Sequence, residues 1–430
     1  MNKINKLLAS FGVFMLLLVV TSCSDNEVEP LFDQTVNERA EALKLEYLNV
    51  LTSADNGWIG YYSPNKDFGA YTMLLDFDSN SNVSVNSDFE AGAQNKTITY
   101  RIDKTLKVEL VFESTSVFSD IFAINNNNNQ GEFVFNILSA TQDEVVLESK
   151  LDFGDDVTVL TLQKADVSQL DLEPIYESVD DIAGDGTQSV FRNILLNDAV
   201  IGTFSFNSVT RLTTVKYLNN EGEVISVSFP IAITPTGFYL LKPLDVNGTM
   251  LTSFTYNEAE NEYENTADGL RIIYDNIPGV PLNPYDLGVA ANNVRYNYLE
   301  PGKSSLAFNN FYTSYTQFIF DNYGFTIDRV YIRSLNDGSV PYLHIYTGLG
   351  NIWYDLNVEI TDGIVKFSLT GDTNSSAGLT AVLQPLIDVF VGAESGYYLN
   401  ATGGLQTFSN GTFSMINVDD PSMEINYYDF

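Results

Sequence analysis

The 430-residue chain holds one cysteine and one histidine. One thiol cannot close an internal disulfide, and once acylated it can neither ligate a metal nor act as a nucleophile. One imidazole, His344, rules out any site built on two or three histidine ligands. A Ser-His-Asp triad would have to use His344, and no Gly-x-Ser-x-Gly elbow is present to display the serine. Walker and dinucleotide glycine patterns are also missing. Basic residues are few, 21 against 56 acids, for a formal charge of −35. Such a field repels phosphate backbones, so nucleic acid is not an expected partner. Long apolar runs are lacking apart from Leu7 to Val20. As a helix that run spans about 21 Å, short of the roughly 30 Å needed to cross a bilayer. Disorder is not implied, because 44% of residues are hydrophobic and 13% aromatic.

The beginning of the chain reads as an address. Lys3 and Lys6 precede the apolar run, and Val20-Thr21-Ser22-Cys23 ends it. This resembles a lipobox, in which the peptide is cut before a cysteine that carries acyl chains such as palmitate. Residues 1–22 are therefore expected to be a lipoprotein signal peptide, and Cys23 the lipid-attachment residue. Each buried methylene contributes about 0.8 kcal/mol, so two or three chains would anchor the protein durably to a lipid bilayer. Ser24-Asp25-Asn26-Glu27 resembles the acidic export signal of Bacteroidetes-type lipoproteins. The expected location is the outer membrane, facing the cell exterior. Removing residues 1–22 takes away two lysines and no acid, so the exported body is more acidic still.

The mature length suggests two or three domains. After an acidic tether, 23–34, Thr35-Val-Asn-Glu38 forms a capping box, and Val36, Ala40, Leu43, Tyr47 and Val50 follow at helical spacing. Beyond Asn56-Gly57 the texture is that of antiparallel β-structure. Strands are expected at 71–77, 97–102, 108–112, 132–138, 145–150 and 157–162, with Asn125 to Asn129 as a solvated loop. The acidic stretch 166–187 reads as a linker. A second β-rich stretch runs from about Ala199 to Tyr274, with turns at Glu221-Gly222 and Asn247-Gly248. Prolines at 278, 281, 284 and 301 mark a connector. Phe308, Phe311, Tyr315, Phe318, Ile319 and Tyr323 recur at helical spacing before Gly324, although their aromatics and threonines also permit a strand. A weaker helix is expected at 379–393, disturbed by Pro385. The expected fold is mainly β with a few helices (α+β). Two or three antiparallel-sheet lobes stand in series behind the lipidated tether: 35–165, 166–300 and 301–430.

Leu51-Thr-Ser-Ala-Asp-Asn-Gly-Trp58, Gly69-Ala-Tyr-Thr-Met-Leu-Leu-Asp-Phe77, Gly131-Glu-Phe-Val-Phe-Asn-Ile137 and Asp143-Glu-Val-Val-Leu147 resemble the opening of the domain-of-unknown-function family 4302. The later helix and the segment Tyr354 to Phe367 are similar to that family's C-terminal part. The resemblance implies an outer-membrane lipoprotein, often encoded beside nutrient-import systems of the starch-utilisation type. Its motifs are structural, so it implies no reaction and no catalytic residues.

Few groups could carry chemistry. Asp78-Ser-Asn80-Ser-Asn82 begins like a calcium loop but has Val83 where glycine is required and Phe89 where a bidentate glutamate belongs, so a hairpin turn is expected. The acidic clusters at 171–185 and 258–264 read as solvated loops. No metal or other cofactor is expected. Carboxylate pairs could serve a glycoside hydrolase, but with 56 acids some pair always qualifies. The most informative feature is a hairpin at 340–360. Ile352, Tyr354, Leu356, Val358 and Ile360 alternate with Trp353, Asp355, Asn357 and Glu359, which puts a tryptophan on the polar face. Leu343 and Ile345 suit the core, so Tyr342, His344 and Tyr346 face outward. With a four-residue loop at 348–351, Tyr346 opposes Trp353, His344 opposes Asp355 and Tyr342 opposes Asn357. Flat rings beside carboxylates and amides suit sugar rings, though aromatic cross-strand pairs also form without a ligand. The leading expectation is a non-catalytic accessory or ligand-capture protein of an outer-membrane nutrient-uptake system, its ligand a glycan or peptide and its partner a nutrient-import complex. A carboxylate-dependent glycoside hydrolase and an adhesin or structural surface protein are the alternatives.

Overall fold

The computed structural model describes residues 35–89, 96–152, 157–184, 191–282, 295–334, 340–361, 364–402 and 411–429. The segments expected to be a signal peptide and a tether, with Cys23 between them, lie outside the described residues. Helix α1 (Val36–Leu51) starts at the expected capping box: the Glu38 N–H donates to Thr35 Oγ1 at 3.2 Å, and the Thr35 N–H donates to Glu38 Oε2 at 2.8 Å. Ala40, Tyr47, Val50 and Leu51 are buried along one side.

Eight strands follow: β1 (Trp58–Tyr62), β2 (Tyr71–Phe77), β3 (Asn82–Ser87), β4 (Lys96–Lys104), β5 (Val108–Phe112), β6 (Val134–Ala140), β7 (Glu144–Ser149) and β8 (Val159–Lys164). Each pairs antiparallel with the next, and β1 pairs with β8, closing a barrel. Eight strands leave an interior that side chains can fill. Here Trp58, Tyr62, Met73, Leu75, Val83, Val85, Tyr100, Leu110, Phe112 and Phe135 fill it. Asp78 makes the expected hairpin turn, its Oδ1 accepting from the N–H groups of Asn80 and Asn82 at 2.8 Å. Helix α2 (Val117–Ala123) lies in the β5–β6 connection, and the asparagine run begins in a one-turn 3-10 helix, Ile124–Asn127.

The same closure occurs twice more. Strands β9 (Phe191–Leu196), β10 (Ala199–Asn207), β11 (Leu212–Leu218), β12 (Val224–Thr234), β13 (Gly237–Val246), β14 (Thr249–Asn257), β15 (Glu262–Asn265) and β16 (Leu270–Asp275) form a second barrel. Strands β17 (Arg295–Leu299), β18 (Ile327–Ser334), β19 (Tyr342–Thr347), β20 (Gly350–Thr361), β21 (Ile364–Thr373), β22 (Tyr397–Ala401), β23 (Thr412–Asn417) and β24 (Glu424–Asp429) form a third. The antiparallel lobes in series are thus three closed up-and-down barrels. The third begins before residue 301, because β17 must be present to pair with β24.

The segment read as an acidic linker contains helix α3 (Glu173–Ala183). Its Ile175, Val179 and Ile182 pack into the second barrel's core cluster. In the third barrel, the aromatic run folds as helix α4 (Leu306–Tyr323), not as a strand. Gly324 ends it in the left-handed region, with φ 72°. Helix α5 (Ala377–Val391) tolerates Pro385 inside it and occupies the β21–β22 connection, the place α2 takes in the first barrel. Tyr315 of α4 donates to the Val382 carbonyl of α5 at 2.7 Å, so the two helices cover the third core together.

The first two barrels are docked. Ile59 and Leu74, on the outside of the first, join the second barrel's apolar cluster, and Tyr61 meets Tyr239 edge-to-face at 5.3 Å. Asp88 and Arg211 form a buried ion pair across the junction at 2.7 Å. Gly69 lies directly on the turn between β10 and β11, where a Cβ would collide with the Thr210 carbonyl and Arg211 Cβ.

Candidate ligand-binding face

Strand β20 buries Ile352, Tyr354 and Leu356 in the third core and turns Trp353 and Asp355 outward, half-buried, with Asn357 exposed. Strand β19 buries Leu343 and Ile345, and places Tyr342, His344 and Tyr346 on the same outer face as Trp353. The faces are those expected from the alternation; the partners are not. The connection is the two-residue turn Gly348-Leu349, braced by the Leu349 N–H donating to Thr347 Oγ1 at 3.1 Å. The register is shifted by two residues: His344 opposes Trp353, Tyr342 opposes Asp355 and Tyr346 opposes Asn351. A shift of two preserves every face, because strand side chains repeat every two residues. Asn357 lies beyond the last β19 pair and opposes Ser368 instead, so it stands apart from the aromatic group.

The corrected register reveals a row that the hairpin alone does not contain. Tyr428, Tyr298, Tyr331, His344 and Trp353 oppose one another directly across β24, β17, β18, β19 and β20. Ring centroids are 5.4 Å apart for Tyr428–Tyr298, 5.0 Å for Tyr298–Tyr331 and 4.5 Å for Tyr331–His344. Tyr296, Tyr342 and Tyr346 flank it, with Tyr346 stacked on His344 at 4.6 Å. Tyr331 and His344, 2% and 6% exposed, are walled in by these rings. His344 is therefore a packed member of the row rather than a solvent-facing group, and both its ring nitrogens lack a hydrogen-bond partner. The available surfaces are those of Tyr296, Tyr298, Tyr342, Tyr346, Trp353 and Tyr428, all half-buried.

Arginines border the row. Arg329 and Arg333 leave β18 on the same side as Tyr331. The Arg333 guanidinium lies 4.6 Å from the Tyr296 ring and 5.6 Å from the Tyr342 ring, and its Nη1 donates to Tyr342 Oη at 2.6 Å. Arg329 lies 6.0 Å from the Tyr298 ring. At the Tyr428–Tyr298 end opens a cleft of about 600 Å³, lined in part by Tyr298, Glu300, Tyr312, Asp328, Arg329 and Tyr428.

Burial raises the Tyr331 phenol well above its ordinary value, and Tyr346 adds to this. Burial also raises the Asp355 carboxyl, with Asp372 contributing. His344 is pushed down to about 4 by burial first and by the Arg333 cation second. It is neutral at pH 7. Its unfolded value is about 6.5, so the unfolded chain binds the extra proton first. The stability from holding it neutral is present above about pH 6.5 and is lost as pH falls towards 4. As the only histidine, it gives one imidazole signal by NMR. The expected midpoint is near 4; one near 6.5 would mean that the ring is exposed.

Among the described residues no group of three His, Cys, Asp or Glu side chains is placed to hold a metal ion, and no helix is long and apolar enough to cross a membrane. The face missed Tyr296, Tyr298, Tyr331, Tyr428, Arg329 and Arg333 when read from one hairpin. The signal for them is the alternation within Arg295-Tyr-Asn-Tyr-Leu299 and Arg329-Val-Tyr-Ile-Arg333.

The sequence pattern of the family described as a domain of unknown function, DUF4302, matches residues 28–258. That is more than half of the chain. This protein belongs to the DUF4302 family. The match takes in the first barrel and the second as far as β14, so the family resemblance noted at Tyr354 to Phe367 lies outside the matched span. The aromatic face, on the third barrel, also lies beyond the DUF4302 match. No curated protein sequence matches the chain. Among solved structures, the isotype 1 transferrin binding protein B from serogroup B Neisseria meningitidis aligns at 11% identity. The alignment covers 84% of this chain and 66%, just under two thirds, of that protein, with a TM-score of 0.12. A likeness at that level does not relate the folds.

Proposed function

We propose that this DUF4302 protein is a lipid-anchored, non-catalytic capture protein displayed on the outer membrane, and that the aromatic face of its third barrel binds a glycan for a nutrient-uptake system. The observation that carries the reading is the row Tyr428–Tyr298–Tyr331–His344–Trp353, continued into the cleft beside α4. Sugar rings present apolar C–H faces that stack on flat side chains, while their hydroxyls need polar partners at the edge. Arg333, Asp355, Arg329 and Glu300 stand at that edge. Rings held by their neighbours lose little freedom on binding, which favours affinity.

The platform is tested by Trp353→Ala. A half-buried outer ring should cost about 1 kcal/mol of stability on removal. Glycan binding measured by calorimetry should weaken by about 1–3 kcal/mol, by analogy with base–aromatic stacking. Unchanged affinity would place the ligand elsewhere, and release of reducing sugar during the titration would favour the hydrolase. The anchor is tested separately. Cys23→Ala is expected to abolish acylation and release the protein from membranes; retention after a carbonate wash would overturn the assignment.

A further inference from the structure

We infer that the ligand of this face is an acidic glycan, one carrying carboxylate or sulfate groups that the arginines of β18 receive. This deepens the reading above and rests on it.

The chain carries 56 acids and 21 bases, so its overall field opposes an anionic ligand unless cations without carboxylate partners are placed to receive it. Among the described residues the guanidinium groups of Arg101, Arg211 and Arg271 hold carboxylates. Arg192, deep in the second barrel, instead donates to the Ile182 carbonyl and lies over the Phe204 and Tyr274 rings. Arg329 and Arg333, at the surface of the aromatic face, have neither a carboxylate nor a carbonyl partner among the described residues. They project on either side of Tyr331, four residues apart on one strand, which sets them about 13 Å apart along it. Arg333 is half-buried, with Nη1 committed to the Tyr342 hydroxyl and Nε buried without a partner. Taking a guanidinium partly out of water without an anion is costly, and stacking on Tyr296 and Tyr342 offsets only part of that. With Nη1 committed and Nε buried, the stacking holds Nη2 in place as the nitrogen that can donate one charge-assisted hydrogen bond to a carboxylate or sulfate. Acids are also near: Glu300 and Asp328 share the cleft with Arg329, and Asp355 lies across from Tyr342. Glu300 and Asp328 disfavour an anion deep in the cleft, which leaves Arg333, between Tyr296 and Tyr342 at the border of the row, as its seat.

The test is an array that sets uronate-, sialate- and sulfate-bearing oligosaccharides beside neutral glucans, mannans, galactans and xylans. It is probed with the wild-type protein, Arg333→Met and Arg333→Lys, each checked for folding by circular dichroism. The expected result is retention of acidic members only. Their affinity should fall about tenfold or more in Arg333→Met, the cost of losing a charge-assisted hydrogen bond. Arg333→Lys should recover part of it, and high salt should weaken the wild-type protein. Neutral glycans bound as tightly as acidic ones, or acidic binding indifferent to Arg333→Met, would overturn the inference while leaving glycan capture in place. Retention of no glycan would overturn both.

Discussion

Arg211→Met is expected to cost the junction of the first two barrels about 3–5 kcal/mol, because it strands a buried carboxylate. The Asp88 and Arg211 side chains are 1% and 7% exposed. One carboxylate oxygen accepts from Arg211 Nη1 at 2.7 Å and the other from the Thr72 N–H at 2.7 Å. Burial raises the Asp88 carboxyl, and Arg211 is the chief force pulling it back. Without the arginine, only backbone hydrogen bonds such as that from the Thr72 N–H oppose burial, and the carboxyl rises further. Its folded value, already above the unfolded value of about 3.9, moves further from it, so the folded state binds the proton first. The penalty should be largest at neutral pH and should shrink as pH falls towards 4. The double variant Asp88→Leu with Arg211→Met should recover most of the loss, since an apolar pair of similar volume often replaces a buried ion pair at little cost. Chemical denaturation of the three variants at two pH values measures this. A single-variant loss below about 1 kcal/mol would mean that the junction is wet.

Trp58→Ala is expected to cost about 3–5 kcal/mol, the range for a large aromatic removed from a packed core. Trp58 is fully buried at the start of β1. Its Nε1–H donates to the Leu51 carbonyl at 2.8 Å, at the C-terminal end of α1. One side chain therefore fills the first barrel and ties the helix to it. Truncation leaves a cavity and an unsatisfied carbonyl together, while Trp58→Phe loses the hydrogen bond and little of the packing. Alanine should lower the melting temperature of the first barrel much more than phenylalanine does. Equal effects would show that the helix tie, not the packing, dominates.

What could be read in the chain was local. The capping box at Thr35 and Glu38, the Gly324 cap and the turns at Gly222 and Gly248 involve residues within a few positions of one another, and all are present. Strand faces were legible for the same reason, since alternation alone assigns Trp353 and Tyr354 to opposite sides. Register was not, because it depended on whether two or four residues turn between β19 and β20. Barrel closure was illegible too: β1 and β8 pair across more than a hundred residues, and nothing in Trp58 to Gly60 names Leu162 as a partner. The row from Tyr428 to Trp353 required that closure, because it joins the last strand to the first of its barrel. Helix α3 was masked by composition. Glu177, Asp180 and Asp181 suggested a linker, yet Ile175, Val179 and Ile182 already carried the helical spacing.

The two tryptophans offer a direct reading of the central claim, since Trp58 lies in the first barrel and Trp353 on the proposed platform. In Trp58→Phe, Trp353 is the sole tryptophan. Titrating that protein with each oligosaccharide retained on the array should shift or quench the Trp353 emission saturably, with the dissociation constant found by calorimetry. Saturable binding by calorimetry with unchanged Trp353 emission would contradict a binding site on the aromatic face of the third barrel.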